Sequence, residues 1–115
     1  MKLKEGVRIY GIRSELVLAL IVCEDVYNEV GTDLVVTSII DGMHSSGSLH
    51  YTGSAVDLRI RNLPQGRAEA VRDEIAERLG GDFDVVLEAD HLHLEFQPKR
   101  LTKGVSDVVR SVKGR

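Results

Sequence analysis

The sequence predicts an α+β domain, a small and mostly antiparallel sheet with helices packed on one of its faces. Three observations lead there. Segments 15–30 and 62–79 repeat apolar residues at helical spacing. Segments 33–39, 54–60, 83–88 and 91–97 are short and either β-branched or alternating. The connections between neighbouring strands are short, which favours antiparallel pairing.

The elements follow in order. Val7–Ile12 reads as a short strand or extended lead-in. Ser14 suits a helix N-cap, and the helix from Glu15 to Val30 carries Leu16, Leu20, Cys23 and Tyr27 near one face. Gly31 ends it, because glycine accepts the left-handed cap conformation. Asp33–Ile39 is a strand rich in Val, Ile and Thr, and a polar loop from Asp41 to Ser48 follows. Along Ser54–Ile60, Val56, Leu58 and Ile60 point one way, and Ala55, Asp57 and Arg59 the other. Asn62, near Pro64, is the expected N-cap of a second helix with the stripe Ala68, Val71, Ile75 and Leu79, ended by Gly80-Gly81. Phe83–Glu88 and His91–Gln97 are strands joined by a tight turn at Ala89-Asp90. The segment Leu101–Val112 has helical spacing, weakened by its valines and Gly104.

A chain of 115 residues is read as one domain, 1–115, with one core and one cleft. Hydrophobic residues at 43% and charged residues at 29% place it among globular chains. A net charge of −3 argues against a general nucleic-acid binder. The basic stretch from Lys99 to Arg115 reads as a solvated helix face before it reads as an attraction for an anionic polymer. The single cysteine, Cys23, excludes an internal disulfide or a Cys-rich zinc site and fits the core. No apolar segment follows Lys2 and Lys4 as in a signal peptide, and Leu16–Cys23 is too short to span a bilayer. The expectation is cytoplasmic synthesis without membrane insertion.

All four histidines, His44, His50, His91 and His93, fall in two polar segments, which also hold Asp57, Glu88 and Asp90. On the strand from His91, alternation puts His91, His93 and Glu95 on one face, opposite Leu92, Leu94 and Phe96. Residues two apart on a strand are separated by about 6.6 Å. That spacing predicts one ligand and one helper rather than two ligands on one metal. Asp57 lies on the polar face of its own strand, with His50 seven residues earlier beyond a turn at Gly53. Such a site is built on strands and loops, not on the single helical turn of an HExxH motif. Histidine and aspartate are good zinc ligands, and three of them leave one position open for water. Zinc brings the pKa of water down to about 7. Hydrolysis also needs a general base, and Asp90 and Glu88 are both candidates. Ser45 and Ser46 have no base at a recognisable spacing, and Gly42, Gly47 and Gly53 do not form a phosphate loop.

The segment Ser48-Leu49-His50-Tyr51-Thr52-Gly53-Ser54-Ala55-Val56-Asp57 resembles the S-x-H-x-x-G-x-A-x-D signature of the M15 zinc peptidases. These include D-alanyl-D-alanine carboxypeptidases, D-Ala-D-Ala dipeptidases and phage L-alanyl-D-glutamate endolysins. Asp90-His91-Leu92-His93 resembles the family's second signature, a D/E-x-x-H combined with H-x-H. The resemblance covers about Val35 to Gln97 and is strongest to the small stand-alone phage and prophage members. It implies the hedgehog/D-Ala-D-Ala peptidase-like fold. It implies zinc on His50, Asp57 and His93, with Asp90 as the catalytic carboxylate and His91 as the additional site histidine. It also implies a peptidoglycan peptide as substrate, reached after release to the cell wall. The oxyanion-stabilising arginine of many members has no counterpart in Ser38–His44, which leaves that role to His44 or His91. Glu95 reads as a solvated strand residue or a hydrogen-bond partner of a ligand. The competing reading is a non-catalytic zinc-binding interaction module, since the hedgehog signalling domain resembles the same enzymes.

Overall fold

The computed structural model describes residues 1–8, 12–40 and 55–98. His44, Ser48, His50 and the segment Leu101–Val112 lie outside the described residues. Within them the fold is α+β, with two helices and a five-stranded, mostly antiparallel sheet. The elements are β1 (Lys2–Leu3), α1 (Ser14–Glu29), β2 (Val35–Ile40), β3 (Ala55–Arg59), α2 (Ala68–Leu79), β4 (Phe83–Leu87) and β5 (His91–Phe96).

The sheet order is β1-β2-β3-β5-β4. Only β1 runs parallel to its neighbour, with Lys2 beside Val35 and Leu3 beside Val36. Across the middle, β3 pairs antiparallel with both β2 and β5, and β4 closes a hairpin onto β5. Alternation sorts each strand into two faces. Val36, Val56, Leu58, Leu92 and Leu94 join Leu16, Leu20, Cys23, Tyr27, Val71 and Ile75 of the helices in one buried cluster. Both helices therefore cover one face, and the other carries the polar side chains. Among the described residues no helix is long and apolar enough to cross a membrane.

Two local expectations, the caps at Ser14 and Asn62, are corrected, and one strand is added. The structure adds a strand at Lys2–Leu3, ahead of Val7–Ile12, most of whose middle lies outside the described residues. Gly6, at φ 89°, turns the chain back, with the Val7 amide donating to the Lys4 carbonyl. Val7 and Ile12 pack against the core, and residues 9–11 lie outside the described set. Ser14 is the first helical residue, not the N-cap. The extended residue before α1 is Arg13, whose carbonyl takes the first helical amides, from Leu16 and Val17. Asn62 does not cap α2, which starts only at Ala68. Gly66, at φ 79°, interrupts any helical path from Pro64. The Asn62 amide instead donates to Thr32 Oγ1 (3.0 Å) and the Asp33 carbonyl (2.7 Å), tying the turn after β3 to the turn after α1.

Candidate metal centre

The site grows from the register of three strands. On the polar face, Ser38, Asp57, His93 and Val86 stand in one row across β2, β3, β5 and β4. Arg59 faces His91 in the next row, and Asp84 faces Glu95 in the row on the other side. A β-bulge between Val36 and Ser38 shifts the register of β2. The residue it leaves over, Thr37, donates its hydroxyl to the Asp57 carbonyl at 3.2 Å. Bulges re-aim side chains beside functional sites, and this one fastens the backbone that presents Asp57. From the opposite face the buried Tyr27 hydroxyl donates to the Arg59 carbonyl at 2.8 Å, locking the end of β3 onto α1.

Asp57 is the hub. Its Oδ1 lies 2.9 Å from His93 Nδ1 and 3.6 Å from His91 Nε2. Each histidine turns its other nitrogen to a second carboxylate. His91 Nδ1 is 2.6 Å from Asp90 Oδ1, and His93 Nε2 is 3.0 Å from Glu95 Oε1. Glu95 also accepts a hydrogen bond from the Gln97 amide. The hub side chain is only 20% exposed, whereas Asp90 is 89% exposed. Asp90 sits in the β4–β5 turn, which the Glu88 amide closes onto the His91 carbonyl at 2.8 Å.

The electrostatics follow from these contacts. Partial burial pulls the His93 imidazole down, but its hydrogen bonds to the Glu95 and Asp57 carboxylates outweigh this, and its pKa is raised. The hydrogen bond and the charge of His91 hold the Asp90 carboxyl below its usual range. Asp90 is therefore ionised at neutral pH.

Asp57, His91 and His93 can together hold a metal ion, since one donor atom from each lies within 4.8 Å of the others. The donor set fits a borderline cation such as zinc, because it mixes imidazole nitrogen with carboxylate oxygen. The flanking carboxylates strengthen the fit. Metal-binding histidines almost always give their second nitrogen to an oriented acceptor, which fixes the tautomer and raises basicity.

Of the residues the sequence singles out, Asp57 and His93 are in direct contact, with His91 close to Asp57 and Asp90 against His91. His50 lies outside the described residues. Glu95 partners His93, one of the two roles the sequence leaves open for it. His91 departs from expectation, because its nitrogen joins the donor group that the spacing argument denied it. The spacing of about 6.6 Å is a separation of backbones, about 3.3 Å per residue, not of ring nitrogens. Asp57 stands directly opposite His93, and the His91 ring, one row away, brings its Nε2 to 3.6 Å from the same carboxylate oxygen. The missing signal was the β3–β5 register, which local sequence does not carry. Thr37 was also missed, having no signal short of the bulge.

Comparison of the chain with protein-family models, curated proteins and solved structures finds no match.

Proposed function

We propose that the chain is a zinc peptidase of the hedgehog/D-Ala-D-Ala peptidase type, acting on a peptide bond of bacterial cell-wall peptidoglycan. One observation carries the reading. One oxygen of Asp57 is approached by two histidines, each backed by its own carboxylate, and Asp57, His91 and Asp90 line a groove of about 700 Å³. A structural metal site is normally closed, whereas a catalytic one needs an accessible position. The sequence signatures supply the substrate class.

In this reading Asp57 and His93 hold the metal together with His50, and His91 stands beside them. When bound, zinc supplies a Lewis acid that polarises a carbonyl and makes water acidic enough to attack at neutral pH. The protein's own groups do the rest. Asp90 lines the groove, is ionised, and accepts the proton of the attacking water. It then returns that proton to the leaving amine. His91, held by Asp90, presents its imidazole to the oxygen on which negative charge develops. Glu95 keeps His93 oriented.

The test is digestion of purified peptidoglycan by the zinc-loaded protein, with Asp90→Ala alongside and fragments identified by mass spectrometry. Asp90-dependent fragments are expected, and they name the bond cut. Undiminished turnover by Asp90→Ala removes Asp90 from the role of base. Firm zinc binding with no fragments at all favours the non-catalytic zinc-binding module instead.

A further inference from the structure

The groove beside Asp57 has a second property. Lys4, Arg59 and Arg61 line it together with Asp57, Asp90 and His91. Its two carboxylates are already engaged, Asp57 by both histidines and Asp90 by His91. Among the described residues no carboxylate lies within ion-pair distance of the three cations. This is a departure from the chain's background, because the protein as a whole carries a net charge of −3.

The placement is built rather than incidental. Arg59 is half-buried in β3, where it directly faces His91 in register and its carbonyl is held by the Tyr27 hydroxyl. Facing residues of an antiparallel pair lie about 5 Å apart at Cα. Arg59 therefore lies next to His91 in the groove that Asp57 also lines. Arg61 follows two residues later in the turn. Lys4 comes from the opposite edge, where its amide donates to the Val36 carbonyl at 2.8 Å. Guanidinium groups present paired N–H donors that match a carboxylate in a bidentate fashion.

We infer that Arg59 and Arg61, assisted by Lys4, form a carboxylate-binding subsite next to the candidate metal group. The subsite stands on the groove alone. Its further consequence, that the peptide is cut beside an acidic group, rests on the peptidase reading above. The shared chemistry is a carboxylate, supplied either by a peptide's C-terminus or by an acidic side chain.

The experiment is titration calorimetry on the metal-free full chain with three probes. These are N-acetyl-trialanine with a free C-terminus, its C-terminal amide, and an amidated peptide of the same length with a central glutamate. The free acid is expected to bind at least about tenfold more tightly than the amide, with an affinity that falls as salt rises. Arg59→Gln combined with Arg61→Gln is expected to abolish that preference, and Arg61→Gln alone, in an exposed turn, to weaken it. Equal binding of acid and amide, binding of neither, or a preference that survives in both variants overturns the subsite. The glutamate probe distinguishes the sources: binding like the free acid assigns any carboxylate, and binding like the simple amide assigns the chain terminus. Zinc titration of the same proteins is a separate readout. A wild type that prefers the acid yet binds no zinc refutes the metal reading and leaves the subsite intact. Zinc binding without the preference does the reverse.

Discussion

Asp57 sits where one carboxylate serves two imidazoles. A half-buried carboxylate of this kind is stable only when its charge is met, and the two ring nitrogens beside it meet that charge. Replacing it removes both the charge and the point on which the histidines converge. Asp57→Ala is expected to lower zinc affinity by more than about 100-fold. Glu95→Gln, which touches the group only through His93, should cost about 10- to 100-fold, the usual range for partners of metal-bound histidines. Calorimetric titration with zinc checks the order. A larger loss in Glu95→Gln than in Asp57→Ala would contradict the hub. In the same assay His50→Ala and His91→Ala rank the motif histidine against the one that the strand register brings in.

At the scale of elements, helix and strand ends decide what was readable. The end of α1 was readable because it depends on one residue's backbone freedom. Gly31 takes φ 86°, and the Thr32 and Gly31 amides donate to the Tyr27 and Asn28 carbonyls in a Schellman arrangement. A Cβ there would meet nothing within 4 Å, so the penalty for substitution lies in the backbone alone. Gly31→Ala should destabilise the fold by about 1 kcal/mol with zinc affinity unchanged, measured by denaturant unfolding. An unaltered midpoint would show that the left-handed turn carries no cost. The helix starts were not readable. Ser14 and Asn62 are both good caps by type, and nothing local tells an asparagine whether its amide will turn to its own helix or to Thr32 and Asp33 across the chain.

For the molecule as a whole, the core sets an alkaline limit. Burial pushes the Cys23 thiol from 9.0 up to about 12, and the Tyr27 hydroxyl is raised too, by its own burial and by the neighbouring Cys23. The unfolded chain loses these protons at lower pH than the folded one. Between about pH 9 and 12 the unfolded state therefore binds fewer protons, and stability falls as pH rises, by up to about 1.4 kcal/mol per pH unit for each group. Below pH 9 neither group contributes a slope. Urea unfolding at pH 8 and pH 10.5 should show the loss, and Cys23→Ala should reduce it. A midpoint that does not move between the two pH values would contradict it. The same burial should leave Cys23 unreactive toward thiol reagents at neutral pH until the protein unfolds.

The sequence by itself determined the α+β class, the core stripes of both helices, the polar face of β5 and the pairing of imidazole with carboxylate chemistry. Each depends on a short period of 2 or 3.6 residues, or on the type of one side chain. Only the tertiary structure decided that Asp57 lies opposite His93 and within reach of His91, that Thr37 bulges to hold Asp57, and that Arg59 and Arg61 share a groove with them. These facts depend on strand register. Register is set by how strands far apart in sequence, 32 to 40 residues between paired positions of β3 and β5, bury their apolar sides together, a condition on the whole molecule that no local pattern encodes.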